Sequence, residues 1–277
     1  MYNDEFLKDI MTRVENDFLI NGRGYVITSG YEYFREVITL YAKQHNLLES
    51  TLLLLENNNV EEAYILARSL VNNYFLIGYL LNDNENRTRL KKYHNQPIIS
   101  NMYQLKNMKE ILLNNTFKNI SEEDRQSSLS EIDEKIKIYK NLYKKNGIKK
   151  GEKPLKITTL AKNCDEQAFA LYVSIYSDAS KYEHSDITSL DLYKKEVTDE
   201  YSNNDAFILD MNSTNEDLKI KIFDTIEMVY CDTFSKIANI VFEKEKHLLE
   251  NYDENKLLEI VFLITNRFNG KLKKINW

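Results

Sequence analysis

The stretch AYILARSLVNNYFLIGYLL, residues 63–81, decides the fold. As a helix it is long and apolar enough to nearly cross a bilayer, which takes about 20 residues. Its centre, however, carries Arg68, Asn72 and Asn73. An arginine at the bilayer midplane costs about 2.5–3.5 kcal/mol on the insertion scale. The stretch therefore reads as the central helix of a bundle in water, and no membrane partner is expected. The residues that exclude lipid are also the ones whose presence in a core needs explaining.

Working outward, residues 30–56 carry an apolar stripe at helical spacing: Phe34, Val37, Ile38, Tyr41, Leu48, Leu52 and Leu55. Asn57–Asn59 break the pattern, and Val60–Leu81 resumes it. So short a connection makes the two helices an antiparallel hairpin. A first helix is expected over residues 3–19, ended by NGRG. The charged run NDNENRTRLKKYHNQP, residues 82–97, predicts a short helix stopped by Pro97. Further helices are expected at 100–115, from Ser121, where Ser121 and Asp124 match a capping pattern, at 165–183, at 215–250 and at 254–268. Residues 147–154 read as a loop, and 191–205 as polar and irregular.

Seven glycines and two prolines in 277 residues leave too few turn formers for a strand-rich fold. The fold class is all-α: a bundle of long antiparallel helices in a single domain over residues 1–277, with a helical arm or insertion at 84–156. A formal charge of −6 gives no global attraction to nucleic acid, so any such site must be local. Cys164 and Cys231 have no CxxC spacing and no histidine at ligand distance, which predicts two reduced thiols and neither a disulfide nor a metal site. No cofactor is expected, since no Walker A loop, GxGxxG, HExxH or GxSxG is present. The opening MYNDEFLKDIM is acidic with no apolar core, so the expected location is cytoplasmic.

Four groups of residues could carry chemistry. Arg68 and Asn72, one turn apart, lie in an apolar helix. A buried guanidinium must find acceptors there, either a carboxylate (Glu32, Glu49 or Asp186) or a ligand phosphate. The stretch YSDASKYEHSD, residues 176–186, ends a helix on which Phe169, Val173, Ser177, Ser180 and His184 share one face. That face is expected to begin buried and to end in hydroxyls and an imidazole. His184 is either a structural histidine at a helix C-terminus or an acid–base group. A second candidate pair is Arg89 and His94, whose spacing lets both meet one phosphodiester. Finally, residues 135–156 hold nine lysines against Glu152, with Tyr139 and Tyr143 interleaved. Lys144, Lys145, Lys149 and Lys150 could hold phosphates, and the tyrosines could stack on bases. The plainer reading is a solvated helix end with the tyrosines turned inward.

LARSLVNNYFLIGYLLND, followed much later by LYVSIYSDASKYEHSD, resembles an uncharacterised bacterial helical family. Its members pair Arg-Ser-Leu-x-Glu with a later Tyr-x-x-Leu-Ser-x-x-x-His. Arg68, Ser69 and Leu70 match, with Asn72 in place of the glutamate. Tyr176, Ser180 and His184 match the second motif, with Ala179 in place of the leucine. That family is in turn similar to the HEPN helical superfamily, which includes metal-independent RNases of toxin and antiphage systems. Their usual site is Arg, four to six residues, then His, a spacing met here only before His94, by Arg89 with four residues between and by Arg87 with six. The resemblance implies an RNase assembled from two helices, with His184 as general acid or base, Arg68 on the phosphorane, and Ser180, Asn72 and Asp186 orienting them. The alternative is a non-catalytic helical interaction module in which Arg68 and His184 form a buried polar network. The partners to be considered are RNA, a protein partner or a second copy in a homodimer.

Overall fold

The computed structural model describes residues 4–19, 30–114, 120–184, 190–198, 205–209, 215–243, 246 and 252–272. It is all-α apart from one short hairpin. Two compact units divide the chain: residues 1–82 with 157–277, and residues 83–156.

In the first unit, α3 (Val60–Leu81) is the central helix, packed against α2 (Glu32–Glu56) and α10 (Glu216–Glu243), and against α7 (Ile157–Lys162), α8 (Glu166–Leu171) and α9 (Ser177–Glu183). Its Ala63, Tyr64, Ala67, Leu70, Val71 and Phe75 are fully buried, as the central helix of a bundle requires. No helix among the described residues is long and apolar enough to cross a membrane. The break between α2 and α3 works through Asn58, which takes the left-handed conformation that asparagine tolerates best among non-glycine residues. α1 (Glu5–Val14) continues into a π-helical turn at Glu15–Leu19 and packs on α11 (Glu254–Leu272). The NGRG stretch lies outside the described residues.

A 3-10 turn at Leu190–Tyr193 leads into β1 (Lys194–Thr198), which pairs antiparallel with β2 (Asp205–Leu209). The segment expected to be irregular, 191–205, thus contains β1 and the first residue of β2. Their sequences, KKEVT and DAFIL, lack the apolar–polar alternation that marks a half-buried strand.

In the second unit, α4 (Thr88–His94), α5 (Gln96–Leu113) and α6 (Glu122–Lys145) follow in order. Met102 on α5 packs with Ile132 and Ile136 on α6, with Leu105, Leu112, Tyr139 and Tyr143 around them. Ser121 caps α6 as its sequence predicts, accepting from the Asp124 N–H at 3.1 Å. The short helix expected before Pro97 is α4, which ends at His94. Pro97 itself occupies the first turn of α5, where its missing N–H costs nothing.

One close approach depends on a missing side chain. A Cβ on Gly78 of α3 would lie 2.0 Å from Cys164 Sγ and 3.1 Å from its Cβ. Gly78→Ala is expected to destabilise the protein by about 1–3 kcal/mol through overpacking. Adding Cys164→Ala should return part of that loss. Urea unfolding of the two single variants and the double variant measures the coupling.

Candidate functional site

Arg68 projects from α3 towards α9. Its Nη1 pairs with Glu183 Oε2, its Nη2 donates to the Tyr176 hydroxyl at 2.9 Å, and its guanidinium carbon lies 4.5 Å from the Tyr176 ring centre. The side chain is 17% exposed, so these acceptors replace most of its hydration. The carboxylate that answers the guanidinium is therefore Glu183. Asp186 lies outside the described residues, and neither Glu32 nor Glu49 makes this contact. Burial pushes the Tyr176 hydroxyl upward in pKa against the opposing pull of Arg68, so it donates and accepts as a neutral phenol.

His184 caps α9, its N–H bonded to the Ser180 carbonyl at 3.2 Å. Its Nε2 lies 3.8 Å from the same Glu183 oxygen that pairs with Arg68. Arg68 and His184 are thus joined through Glu183 and not to each other directly. His184 is 73% exposed, which removes the reading of a buried structural histidine. Ser180 is half-buried. Asn72 is half-buried too, and its Oδ1, like Arg68 Nε, is buried without a hydrogen-bond partner.

The face expected to start buried on the 165–183 helix does not. Phe169 and Val173 are 38% and 59% exposed, whereas Ala168, Leu171, Ile175 and Ala179 are buried. Residues 168–176 are so uniformly apolar that several stripes fit them. The two alanines decide, because small side chains let this helix approach α3 closely. The outer rings form a column instead: Phe169 and Tyr172 lie 6.2 Å apart at 10°, Tyr172 and Tyr176 5.5 Å apart at 20°. Lys162 sits over Phe169 at one end and Arg68 over Tyr176 at the other. A π-helical turn at Tyr172–Tyr176 carries the column between α8 and α9.

Two groups missed in the sequence hold this helix in place. Tyr64 of α3 donates to Asp178 Oδ2 at 2.9 Å, and Lys221 of α10 reaches the same oxygen at 2.9 Å. Farther along, Lys236 of α10 meets Tyr74 Oη at 2.6 Å, Asp165 at 2.5 Å and Asp232 at 2.7 Å. Burial works against the Lys236 charge, but the two carboxylates outweigh it and hold its pKa above the ordinary value. Asp165 also caps α8 through the Ala168 N–H at 2.7 Å. Burial pushes the adjacent Cys164 thiol up to about 12, leaving it a protonated packing group. Between α2 and α10, buried His45 shares a 2.7 Å hydrogen bond with Tyr230. No spacing signal marks these partners, which come from helices far apart in sequence.

In the second unit, His94 is exposed and lines a depression of about 470 Å³ with Tyr93, Gln96, Pro97 and Ser100. Arg89, half-buried, is not among its lining residues; its N–H and that of Leu90 bond the Asp83 carboxylate at 2.9 Å. Lys144, Lys145, Lys149 and Lys150 are exposed. Tyr139 and Tyr143 face inward against the Met102–Ile132–Ile136 cluster, and Tyr139 accepts from Asn101 at 2.8 Å. The lysines remain available to phosphates, whereas the tyrosines are packing residues.

A family model described as a family of unknown function (DUF5677) matches residues 36–202. The chain belongs to this family. No curated protein and no solved structure matches it. The region of the DUF5677 match contains Arg68, Tyr176, Glu183 and His184, whereas Lys221 and Lys236, which brace the helix, lie beyond it.

The braces make stability depend on acid. Burial opposes ionisation of Asp165, but Lys236 and the Ala168 N–H outweigh it and hold the carboxyl below its ordinary value; Lys221 and Tyr64 do the same for Asp178. A carboxyl depressed on folding contributes stability above its unfolded pKa of about 3.9, and that stability is lost as pH falls through the folded value. Urea midpoints are thus expected to drop as pH is lowered from about 4. Lys236→Met should be less stable at neutral pH and show a shallower acid limb.

Proposed function

We propose that this protein is a metal-independent endoribonuclease acting in the cytoplasm, in a bacterial toxin or defence setting, with Arg68, Glu183 and His184 as its working group. The observation that supports this reading is the exposed His184 imidazole sharing the Glu183 carboxylate with Arg68. In an RNA strand, the 2′-hydroxyl gives its proton to His184 and attacks the adjacent phosphorus. The 5′-oxygen leaves with a proton from water, and a 2′,3′-cyclic phosphate remains. Arg68 neutralises the charge that develops on the phosphorane. Glu183, released from Arg68 by the incoming phosphate, turns to the imidazolium and stabilises it. Asn72 and Ser180 flank the group, and Arg68 Nε retains an unmet donor for a substrate oxygen.

A second reading rests on a different observation. Both terminal nitrogens of Arg68 are already engaged, by Glu183 and Tyr176, as in a bolt between α3 and α9. In that case the protein is a non-catalytic interaction module. The two readings separate on the same variants. As an RNase, the protein cleaves single-stranded RNA, and His184→Ala loses about 10²- to 10⁴-fold in rate with an unchanged melting temperature, because the side chain is exposed. As a bolt, the wild type cleaves nothing and does not slow growth on expression. Glu183→Gln then lowers stability by about 1–2 kcal/mol, since the amide oxygen still accepts from Arg68 but no longer neutralises it.

The lysines of the second unit are assigned to backbone binding. Replacing Lys144, Lys145, Lys149 and Lys150 by Gln should weaken RNA binding and flatten the slope of log affinity against log salt by about 2–3. Filter binding across a salt series measures both. An unchanged slope identifies the segment as a solvated helix end.

A further inference from the structure

The β1–β2 hairpin has two strands and, among the described residues, no third. Phe207, Ile208 and Leu209 are 65%, 57% and 63% exposed. Consecutive strand residues point to opposite faces, so apolar surface is open on both sides of β2. Two strands alone are marginal in water at best and need a third strand or a packed face to persist. Among the described residues no third strand supplies this.

The sequence says which edge is to be covered. β1 reads KKEVT, with three charges in its first three positions, the usual guard against edge-to-edge pairing. β2 reads DAFIL, with one charge at its end and neither lysine nor proline. The unguarded edge is that of β2.

We propose that the edge of β2 pairs antiparallel with the β2 edge of a second copy of this chain, forming a four-stranded sheet centred on Phe207. The occupant must bring a strand with its own free edge and no charge opposite the apolar run, and β2 itself meets both conditions. Self-pairing about Phe207 sets Asp205 opposite Leu209 of the second copy, so no like charges face each other. The register of the hairpin already places Lys194 opposite Leu209 and Thr198 opposite Asp205. Each outer row across the sheet then runs Lys194, Leu209, Asp205 of the second copy, Thr198 of the second copy, carrying one charge of each sign. The contact is two-fold and self-complementary, and the charged β1 edges end the sheet at two copies, so it closes as a dimer. It is independent of the RNase reading.

Sedimentation equilibrium over a concentration series tests this on the full-length chain. Wild type should dimerise, and Phe207→Lys should weaken the dimer about tenfold or more, with helical circular dichroism unchanged since the residue is exposed. Register is tested separately by oxidation of single-cysteine variants in a background lacking Cys164 and Cys231 that retains its helical spectrum and wild-type dimerisation. Phe207→Cys should cross-link to its own copy, because paired residues lie within disulfide reach, and Leu209→Cys should not, because it faces Asp205. A chain monomeric at every concentration, a dimer indifferent to Phe207→Lys, or cross-linking through Leu209→Cys in place of Phe207→Cys each overturns the proposal.

Discussion

A guanidinium in the middle of an apolar core helix must be answered by acceptors from another element, and the arrangement around α3 follows from that constraint. Arg68 is only 17% exposed, and leaving so buried a charge unpaired would cost several kcal/mol. The answer comes twice, from the Glu183 carboxylate of α9 and from the hydroxyl and ring of Tyr176, the last residue of the π-helical turn that leads into it. Residues 176 and 183 are seven apart, about two helical turns, and so lie on one face of the continuous helix formed by the π-helical turn and α9. Meeting both at once fixes the rotation of α9 about its axis. That rotation sends Ala179 into the core and leaves His184 at the rim.

A single contact of this kind would let the helix pivot, and two further clamps remove that freedom. Each joins a tyrosine of α3, a lysine of α10 and an aspartate of the helix from 165 to 183: Tyr64, Lys221 and Asp178 at one level, Tyr74, Lys236 and Asp165 at the other. In each the lysine also lies over the tyrosine ring, at 5.5 and 4.3 Å. The order of these contacts makes α3 and α10 run the same way and the 165–183 helix run against them. The clamps are ionic yet partly buried, so salt screens them less than fully exposed pairs.

How much of this was legible in the sequence depended on whether the governing interaction was local. The ends of α2 and α3 were, because the Asn57–Asn59 break and the apolar stripes lie within a few residues of each other, and so was the Ser121 cap. Arg68 stood out because its charge contradicts its surroundings. Its partner did not, since Glu183 is one acidic residue among many and only packing selects it. The helix face of Phe169 and Val173 was misjudged because hydrophobicity ranks large side chains above alanine, whereas close helix approach ranks them the other way. Lys236 and Lys221 gave no signal, each being an ordinary residue of an amphipathic helix until α3 meets it.

The family match sharpens what these clamps mean. It covers Arg68 through His184 but stops before α10 begins, so two of the three elements that define each clamp are inside the match and the lysine is outside. The working group and most of its support thus lie inside the match, and Lys221 and Lys236 lie outside it. Tyr64, Tyr74, Asp165 and Asp178 lie within the region that defines the family; the tyrosine hydroxyls are met by carboxylates, and the partly buried carboxylates in turn are met by lysines. Without Lys236, Asp165 would keep its cap on α8 but lose the charge that offsets its burial. Asp178 has a second cation inside the match, Lys181 at 3.4 Å, so it is Asp165 whose balancing charge comes from α10 alone among its described partners.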